Sequence, residues 1–227
     1  TVSTGGGVPT LLLETGTTDT SATYSSGSGT NTLTFRYVVQ AGNTSTDLDQ
    51  QSNAALALNG GTIRDASGND AVLTLASPGA SGSLGANKAL VIDTVAPSAP
   101  TSLVATAIGG TVVANTLLAS NTNLTATASI TAGQATDGSA ELLLGSAVIA
   151  TDSSIASGDT SVSFTLGLTT TAQVQAAIAA GGVLTTRLID LAGNTSASST
   201  SVNLAVDYVV PTVALTISRS SFKIGQT

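Results

Sequence analysis

Residues 32–39 read TLTFRYVV, an alternation of Thr with Leu and Phe that continues into aromatic and β-branched residues. Successive side chains of an extended strand point to opposite faces, so this spacing places hydroxyls on a solvent face and hydrocarbon on a core face. Similar short runs rich in Thr and Val recur along the chain, separated by clusters of Gly, Asn, Asp and Ser. This pattern is typical of an all-β sandwich.

The predicted strands fall into two groups. We expect the first group at 10–14, 32–39, 55–58, 71–75 and 88–92, and the second at 102–107, 123–129, 140–149, 161–166, 184–189 and 199–206. Residues 169–182 (TTTAQVQAAIAAGG) depart from this pattern, because they are rich in Ala, begin with a Thr suited to an N-cap and end on paired Gly. We predict one short helix there.

The composition excludes several kinds of active site. The 227 residues include no His and no Cys, so a Ser-His-Asp triad, a Cys nucleophile and the usual zinc and haem sites are ruled out. Most acidic residues lie in Gly- and Asn-rich turns, and only 3 % of the chain is aromatic, so we expect no enzyme. A formal charge of −7 disfavours nucleic acid, and no apolar run is long enough for a membrane span.

Two short sequence motifs each occur twice, and in the same order. DASGN at 65–69 is matched by DLAGN at 190–194, and VIDTVAP at 91–97 is matched by AVDYVVP at 205–211. The spacing from Asp to Pro is the same in both joints. Repetition of two words in one order indicates related modules in tandem.

The joints set the predicted domain boundaries. We place a first module at 1–94, a second at 95–210 and the first strand of a following module at 211–227. The two complete modules differ in length, so they are related units and not a strict repeat.

The D-x-A/S-G-N loop, followed by a strand and the V-D-x-x-x-P joint, resembles the tandem bacterial immunoglobulin-like repeats of giant secreted adhesins, including those with RTX-type C-termini. The resemblance covers essentially the whole chain. It implies immunoglobulin-like β-sandwiches in series, forming a non-enzymatic stalk at the bacterial cell surface that serves attachment and biofilm formation. It also implies calcium near the joints.

The candidate calcium ligands are oxygen donors in the loops and joints, namely Asp65, Asn69, Asp93, Asp190, Asn194 and Asp207. Calcium takes six to eight oxygens from carboxylates, amide side chains, carbonyls and water. A second interpretation is a turn without metal, because Asp and Asn side chains bind their own backbone in turns. The pairing of loop with joint in both modules favours calcium. Asp47 and Asp49 form a further acidic pair at alternate strand positions.

The predicted partners are the neighbouring modules of the same chain, with a host surface or self-association as alternatives. Two other functions fit the same residues. One is a surface-layer or filament subunit in which residues 211–227 pair with a neighbouring chain by strand addition. The other is a module that binds a glycan or a protein in its loops.

Overall fold

The computed structural model describes residues 1–118, 120–168, 182–207 and 213. The chain divides into two compact units, Thr1–Pro97 with Ile189–Ser196 and Ser98–Leu188 with Ala197–Thr227. Almost all regular structure is β, which confirms the predicted all-β class. No helix in the described part of the chain is long and apolar enough to cross a membrane.

The first unit consists of short strands and one helical turn. Its elements are β1 (Val2–Ser3), β2 (Thr10–Leu13), β3 (Thr20–Ser26), β4 (Thr34–Arg36), β5 (Thr44–Ser45), β6 (Leu56–Ala57), β7 (Thr62–Ile63), α1 (Leu84–Asn87) and β8 (Ile92–Asp93). A four-stranded sheet has the order β4-β3-β2-β6, and β5-β8 and β1-β7 form separate antiparallel pairs. The Ser83 side chain caps α1 by accepting a hydrogen bond from the Ala86 N–H.

The apolar core of the first unit is small. Leu13, Ala22 and Leu48 are buried together, with partly buried side chains such as Phe35 and Ile92 packed against them. Polar side chains complete this interior, since Thr15, Asn43, Asp49, Gln50 and Ser83 are also buried. Buried polar groups destabilise a fold unless they are hydrogen-bonded, and no buried side-chain oxygen or nitrogen in the described residues lacks a partner.

Asn43 shows how this polar interior is satisfied. Its amide oxygen accepts hydrogen bonds from the Tyr37 hydroxyl (2.9 Å) and the Gln40 N–H (2.8 Å). Its amide nitrogen donates to the hydroxyls of Thr20 (3.0 Å) and Thr15 (3.4 Å). Burial raises the pKa of Tyr37, so the phenol stays protonated and keeps its donor role at neutral pH. One amide therefore ties β5 to β3 and to the chain that follows β4.

The second unit consists of two larger sheets. Its strands are β9 (Thr101–Ile108), β10 (Thr116–Leu118), β11 (Asn123–Ser129), β12 (Ser139–Leu144), β13 (Ala147–Asp152), β14 (Ser161–Gly167), β15 (Val183–Ile189), β16 (Val202–Asn203) and β17 (Ala205–Asp207). One sheet has the order β14-β11-β9 and the other β13-β12-β15-β16. A parallel pair, β10-β17, lies beside them.

One hydrophobic core joins the two larger sheets. In β11 the buried side chains are Leu124, Ala126 and Ala128, and the intervening Thr and Ser side chains point away from the core. β12 and β15 contribute large buried residues to the same cluster, including Leu142 and Leu184. The alternation that predicted a half-buried sheet therefore describes these strands, and the second unit is sandwich-like.

Several strand predictions were wrong. Residues 71–75 form no strand, because their backbone bonds separately to Ile63 and to Asn53, and the side chain of Val72 is 87 % exposed. The predicted strand 140–149 is a hairpin of β12 and β13 that turns at Gly145, where φ is +62°. β3 was not predicted, because its sequence TSATYSS is mostly hydroxylic.

The helix predicted from the sequence and the helix in the structure lie in different segments of the chain. The helix predicted at 169–182 and most of the predicted third-module strand at 211–227 lie outside the described residues. The described helix, α1, lies in the first unit, where none was predicted.

Candidate functional site

The DASGN loop is a turn organised by its first residue. The Asp65 N–H donates to the Asn69 carbonyl (3.0 Å), and the Gly68 N–H donates to the Asp65 carbonyl (3.2 Å). One carboxylate oxygen of Asp65 accepts the N–H groups of Ser67 (2.8 Å) and Asn69 (2.9 Å). The other accepts the Asn69 side-chain amide at 2.8 Å. These bonds, led by the Asn69 side chain, lower the pKa of Asp65 from its ordinary value.

The DLAGN loop repeats this arrangement. The Asp190 N–H donates to the Asn194 carbonyl (3.1 Å), and the Gly193 N–H donates to the Asp190 carbonyl (3.1 Å). The two carboxylate oxygens of Asp190 accept the backbone N–H (2.8 Å) and the side-chain amide (3.0 Å) of Asn194. Gly193, like Gly68, has a φ of +90°, which only glycine adopts without strain. The repeated words are therefore repeated structures.

The first joint lies beside the second of these loops. Asp93 ends β8, and one of its carboxylate oxygens accepts the Val95 N–H at 2.9 Å. The side-chain amide of Asn194 donates to the Asp93 backbone carbonyl at 3.2 Å, within the first compact unit. No hydrogen bond in the described part of the chain links Asp65 or Asn69 to Asp93. The structure thus brings together Asp93, Asp190 and Asn194, and leaves Asp65 and Asn69 as a separate pair.

The second joint residue, Asp207, is placed by a different strand pairing. It ends β17, where it lies opposite Leu118 in the parallel pair with β10. Asp93, by contrast, lies opposite Thr44 in an antiparallel pair. The two joints have the same sequence motif, but their Asp residues lie in strands that pair differently.

Both loops have the hydrogen bonds of a turn. Each loop supplies a single carboxylate, and both of its oxygens accept N–H groups of the same loop. Calcium needs six to eight oxygens, and in the described residues no group of three or more acidic, His or Cys side chains is placed to hold a metal ion.

The most buried carboxylate belongs to Asp49, which the sequence marked only as one of an acidic pair. Its side chain accepts N–H groups from Gln50 (2.8 Å), Gly79 (2.8 Å) and Leu84 (3.0 Å). Burial by itself raises the pKa of Asp49, but the hydrogen bonds, led by that from Gly79, outweigh it and hold the pKa below 3.8. Asp49 therefore fastens the segment that carries α1 to the middle of the first unit.

Asp47 does not share this role. Its side chain is exposed, and it accepts no hydrogen bond from the residues that the structure describes. A cavity of about 290 Å³ is lined by Glu14, Asp47 and Asp49 together with Gln50, Gln51, Pro78 and Gly79. No His, Lys or Arg lines it, so this cavity is acidic. Alternation along a strand could not have separated the two acids, since it places residues 47 and 49 on one face, whereas Leu48, Asp49 and Gln50 are all buried.

Comparisons with protein-family models, with curated proteins and with solved structures find no match for this chain. The resemblance to bacterial immunoglobulin-like repeats therefore stays a prediction from the repeated words.

Proposed function

We propose that this chain is a structural, non-enzymatic segment of a large extracellular bacterial adhesin, in which tandem β modules hold an attachment site away from the cell surface. The observation that supports this is the repeated loop. DASGN and DLAGN form matching hydrogen bonds, from the backbone N–H and the side-chain amide of the Asn to the carboxylate of the Asp four residues before it. Both loops lie in the first compact unit, although they stand about 125 residues apart in the sequence. Tandem units of related structure are the usual basis of extended surface proteins, because each unit adds length without needing a new fold.

The use made of the acidic side chains also supports a structural role. The carboxylate oxygens accept hydrogen bonds from backbone or amide N–H groups of nearby loops in Asp65, Asp190 and Asp49. A carboxylate that works as a general acid or base must instead reach a substrate proton. The proposed work of these residues is to hold loops in place.

Soluble protein added to an attachment assay separates a stalk from a binding module. Cells that display the full-length adhesin are allowed to attach to their surface in the presence of excess purified chain. A stalk segment leaves attachment unchanged, because it holds no receptor contact. Saturable inhibition by the chain would contradict the proposal and favour the glycan- or protein-binding alternative.

Calcium at the joints is the finer part of the proposal, and it has its own test. With one carboxylate per loop, the expected affinity is that of weak extracellular modules, about 10⁻⁴–10⁻³ M. The melting temperature is measured in millimolar calcium and in chelator, for the chain and for Asp190→Ala. A rise in calcium that Asp190→Ala abolishes supports stiffening by the ion. An unchanged melting temperature would contradict calcium binding at the joints. The hydrogen-bonded loops would then be the proposed basis of the stalk.

A further inference from the structure

The turn after β6 contains the single Asn-Gly pair of the chain. Asn59 and Gly60 are both exposed, and each of the other ten Asn residues precedes a residue that has a side chain. The side-chain carbonyl of an Asn is open to attack by the backbone nitrogen of the next residue. Glycine allows the closest approach because it has no Cβ. The sequence neighbour therefore makes Asn59 the most reactive amide of this chain.

The backbone nitrogen of Gly60 takes no part in closing the turn. The closing hydrogen bond is donated by the Gly61 N–H to the Leu58 carbonyl at 2.8 Å, and Asn59 and Gly60 have φ angles of +52° and +88°. Among the residues that the structure describes, none accepts a hydrogen bond from the Gly60 N–H. An exposed and unbonded N–H exchanges its proton with water readily. The attacking nitrogen is therefore accessible in the folded chain.

The side-chain nitrogen of Asn59 holds two segments of the first unit together. It donates to the Val8 carbonyl at 2.9 Å and to the Thr10 hydroxyl at 3.0 Å. The backbones also touch here, since a Cβ on Gly7 would overlap the Asn59 carbonyl. Asn59 thus fastens the chain that enters β2 to the turn that follows β6.

We propose that Asn59 is a deamidation site of the folded chain and that its modification opens this contact. The Gly60 nitrogen bonds to the Asn59 Cγ, the bond from Cγ to Nδ2 breaks, and the side-chain nitrogen leaves as ammonia with the proton that Gly60 has lost. Water then opens the cyclic imide at either carbonyl and leaves an aspartate or an isoaspartate. The atom that makes both hydrogen bonds is the one that departs.

The product has no means of restoring the contact. A carboxylate carries no hydrogen to donate, so it faces the Val8 carbonyl as a second acceptor, and unpaired acceptors destabilise a contact. An isoaspartate also lengthens the backbone of the turn. Residues 1–8 should therefore loosen from the turn. The Arg64 N–H, which donates to the Thr1 carbonyl at 2.8 Å, lies where this loosening is measurable.

Asn115 is a control within the same chain. It is exposed, and its φ of +53° matches that of Asn59. It precedes Thr116, whose branched side chain hinders the approach of the nitrogen. The Thr116 N–H also donates to the Val113 carbonyl at 3.2 Å. Exposure and backbone conformation are thus alike at the two Asn residues, and the attacking nitrogen differs.

Ageing of the full chain tests the site. The purified chain is kept in warm, mildly alkaline buffer, and peptide mapping by mass spectrometry follows each converted amide, while circular dichroism verifies that the chain stays folded. Conversion of Asn59 should be about tenfold faster or more than that of Asn115. Asn59→Gln should abolish conversion at this position, because its extra methylene makes the ring slower to close. Equal rates at Asn59 and Asn115, or an intact Asn59 in a chain whose other amides convert, would overturn the proposal.

Amide hydrogen exchange tests the structural consequence. In the aged chain and in Asn59→Asp, the Arg64 N–H should exchange faster than in the fresh wild type. The Gln51 N–H, which donates to the Leu12 carbonyl at 3.0 Å, should keep its protection and verify that β2 is intact. Unchanged protection of the Arg64 N–H in the converted chain would contradict the opening of the contact.

Discussion

Several carboxylates of this chain accept hydrogen bonds from its own backbone, among them those of Asp49, Asp65 and Asp190. Asp49 accepts three backbone N–H groups, two of them from the loop around α1, and is only 8 % exposed. A buried charge is unfavourable unless it is hydrogen-bonded, and hydrogen bonds to a charged acceptor are stronger than neutral ones. Asp49 thus replaces apolar packing in a unit whose hydrophobic core is small.

Replacing Asp49 with Ala should destabilise the first unit by about 1–3 kcal/mol, because the Gly79 N–H loses its acceptor and the Leu84 N–H keeps only the Gln50 side-chain oxygen. Urea unfolding followed by tyrosine fluorescence measures this change, since Tyr24 and Tyr37 lie in the first unit. Asp47→Ala is the matched control and should change the unfolding free energy by no more than about 0.5 kcal/mol. Equal effects of the two substitutions would contradict the role given to Asp49.

The same residue predicts a dependence of stability on pH. The pKa of Asp49 is lower in the folded chain than its ordinary value of 3.8, so the unfolded chain binds a proton more readily. The stabilisation is complete well above pH 3.8 and is lost as the pH falls through the folded pKa. Unfolding curves between neutral and acid pH should show this loss in the wild type and a smaller one in Asp49→Asn. Asp65 shifts in the same direction, so the difference between the two proteins isolates Asp49.

For single residues, the sequence predicted where the loops lie better than it predicted which hydrogen bonds their side chains form. The sequence favours calcium ligands in these loops and leaves a turn without metal as a second interpretation, and both loops have the hydrogen bonds of a turn. Nothing in the words DASGN and DLAGN shows that both carboxylate oxygens are used within the loop, because that depends on the side-chain torsions of two residues. The burial of Asp49 was also hidden, since the donors from Gly79 and Leu84 lie about thirty residues away along the chain.

Among the elements, the glycines before β2 and after β6 allow two chain segments to touch. A Cβ on Gly6 would overlap the backbone carbonyl of Gly60, and one on Gly61 would come within 2.6 Å of the Gly7 and Ser3 carbonyls. Backbone atoms cannot move aside as flexible side chains do. Gly6 and Gly7 are therefore needed for this close approach of the two segments.

Gly6→Ala should destabilise the first unit by about 1–3 kcal/mol, because the added methyl group displaces the backbone at Gly60. Gly5→Ala is a close control, since its Cβ would meet nothing nearer than the Ser3 hydroxyl oxygen at 3.8 Å. The midpoint of urea unfolding should fall for the first variant and stay nearly constant for the second. A harmless Gly6→Ala would show that the two segments are not packed this closely.

Strands with a clear alternation were predictable, and strands held by other contacts were not. β11 was predicted at its observed bounds, because Leu and Ala alternate with Thr over seven residues. β3 has only Ala22 buried on its core face, so its sequence gives little periodic signal. The hairpin of β12 and β13 was missed because the turn at Gly145 interrupts an apolar run that looks continuous.

At the scale of the whole chain, the first joint motif lies at a boundary between the two compact units. The first joint motif ends at Pro97, where the first segment of the first compact unit also ends. The boundary predicted from the sequence was after residue 94. The sequence could not show that residues 189–196 belong with the first unit, because the contact of Asn194 with the Asp93 carbonyl joins residues far apart in the chain.

Single-molecule force spectroscopy on the whole chain, pulled from its two ends, tests the proposed mechanical role most directly. Two compact units of about one hundred residues each should unfold in two separate steps, each lengthening the tether by about 300–400 Å. Both steps should reappear after the force is released and the chain refolds. A smooth extension without resistance, or a single step that releases the entire length at once, would contradict the proposal that separate modules resist the force.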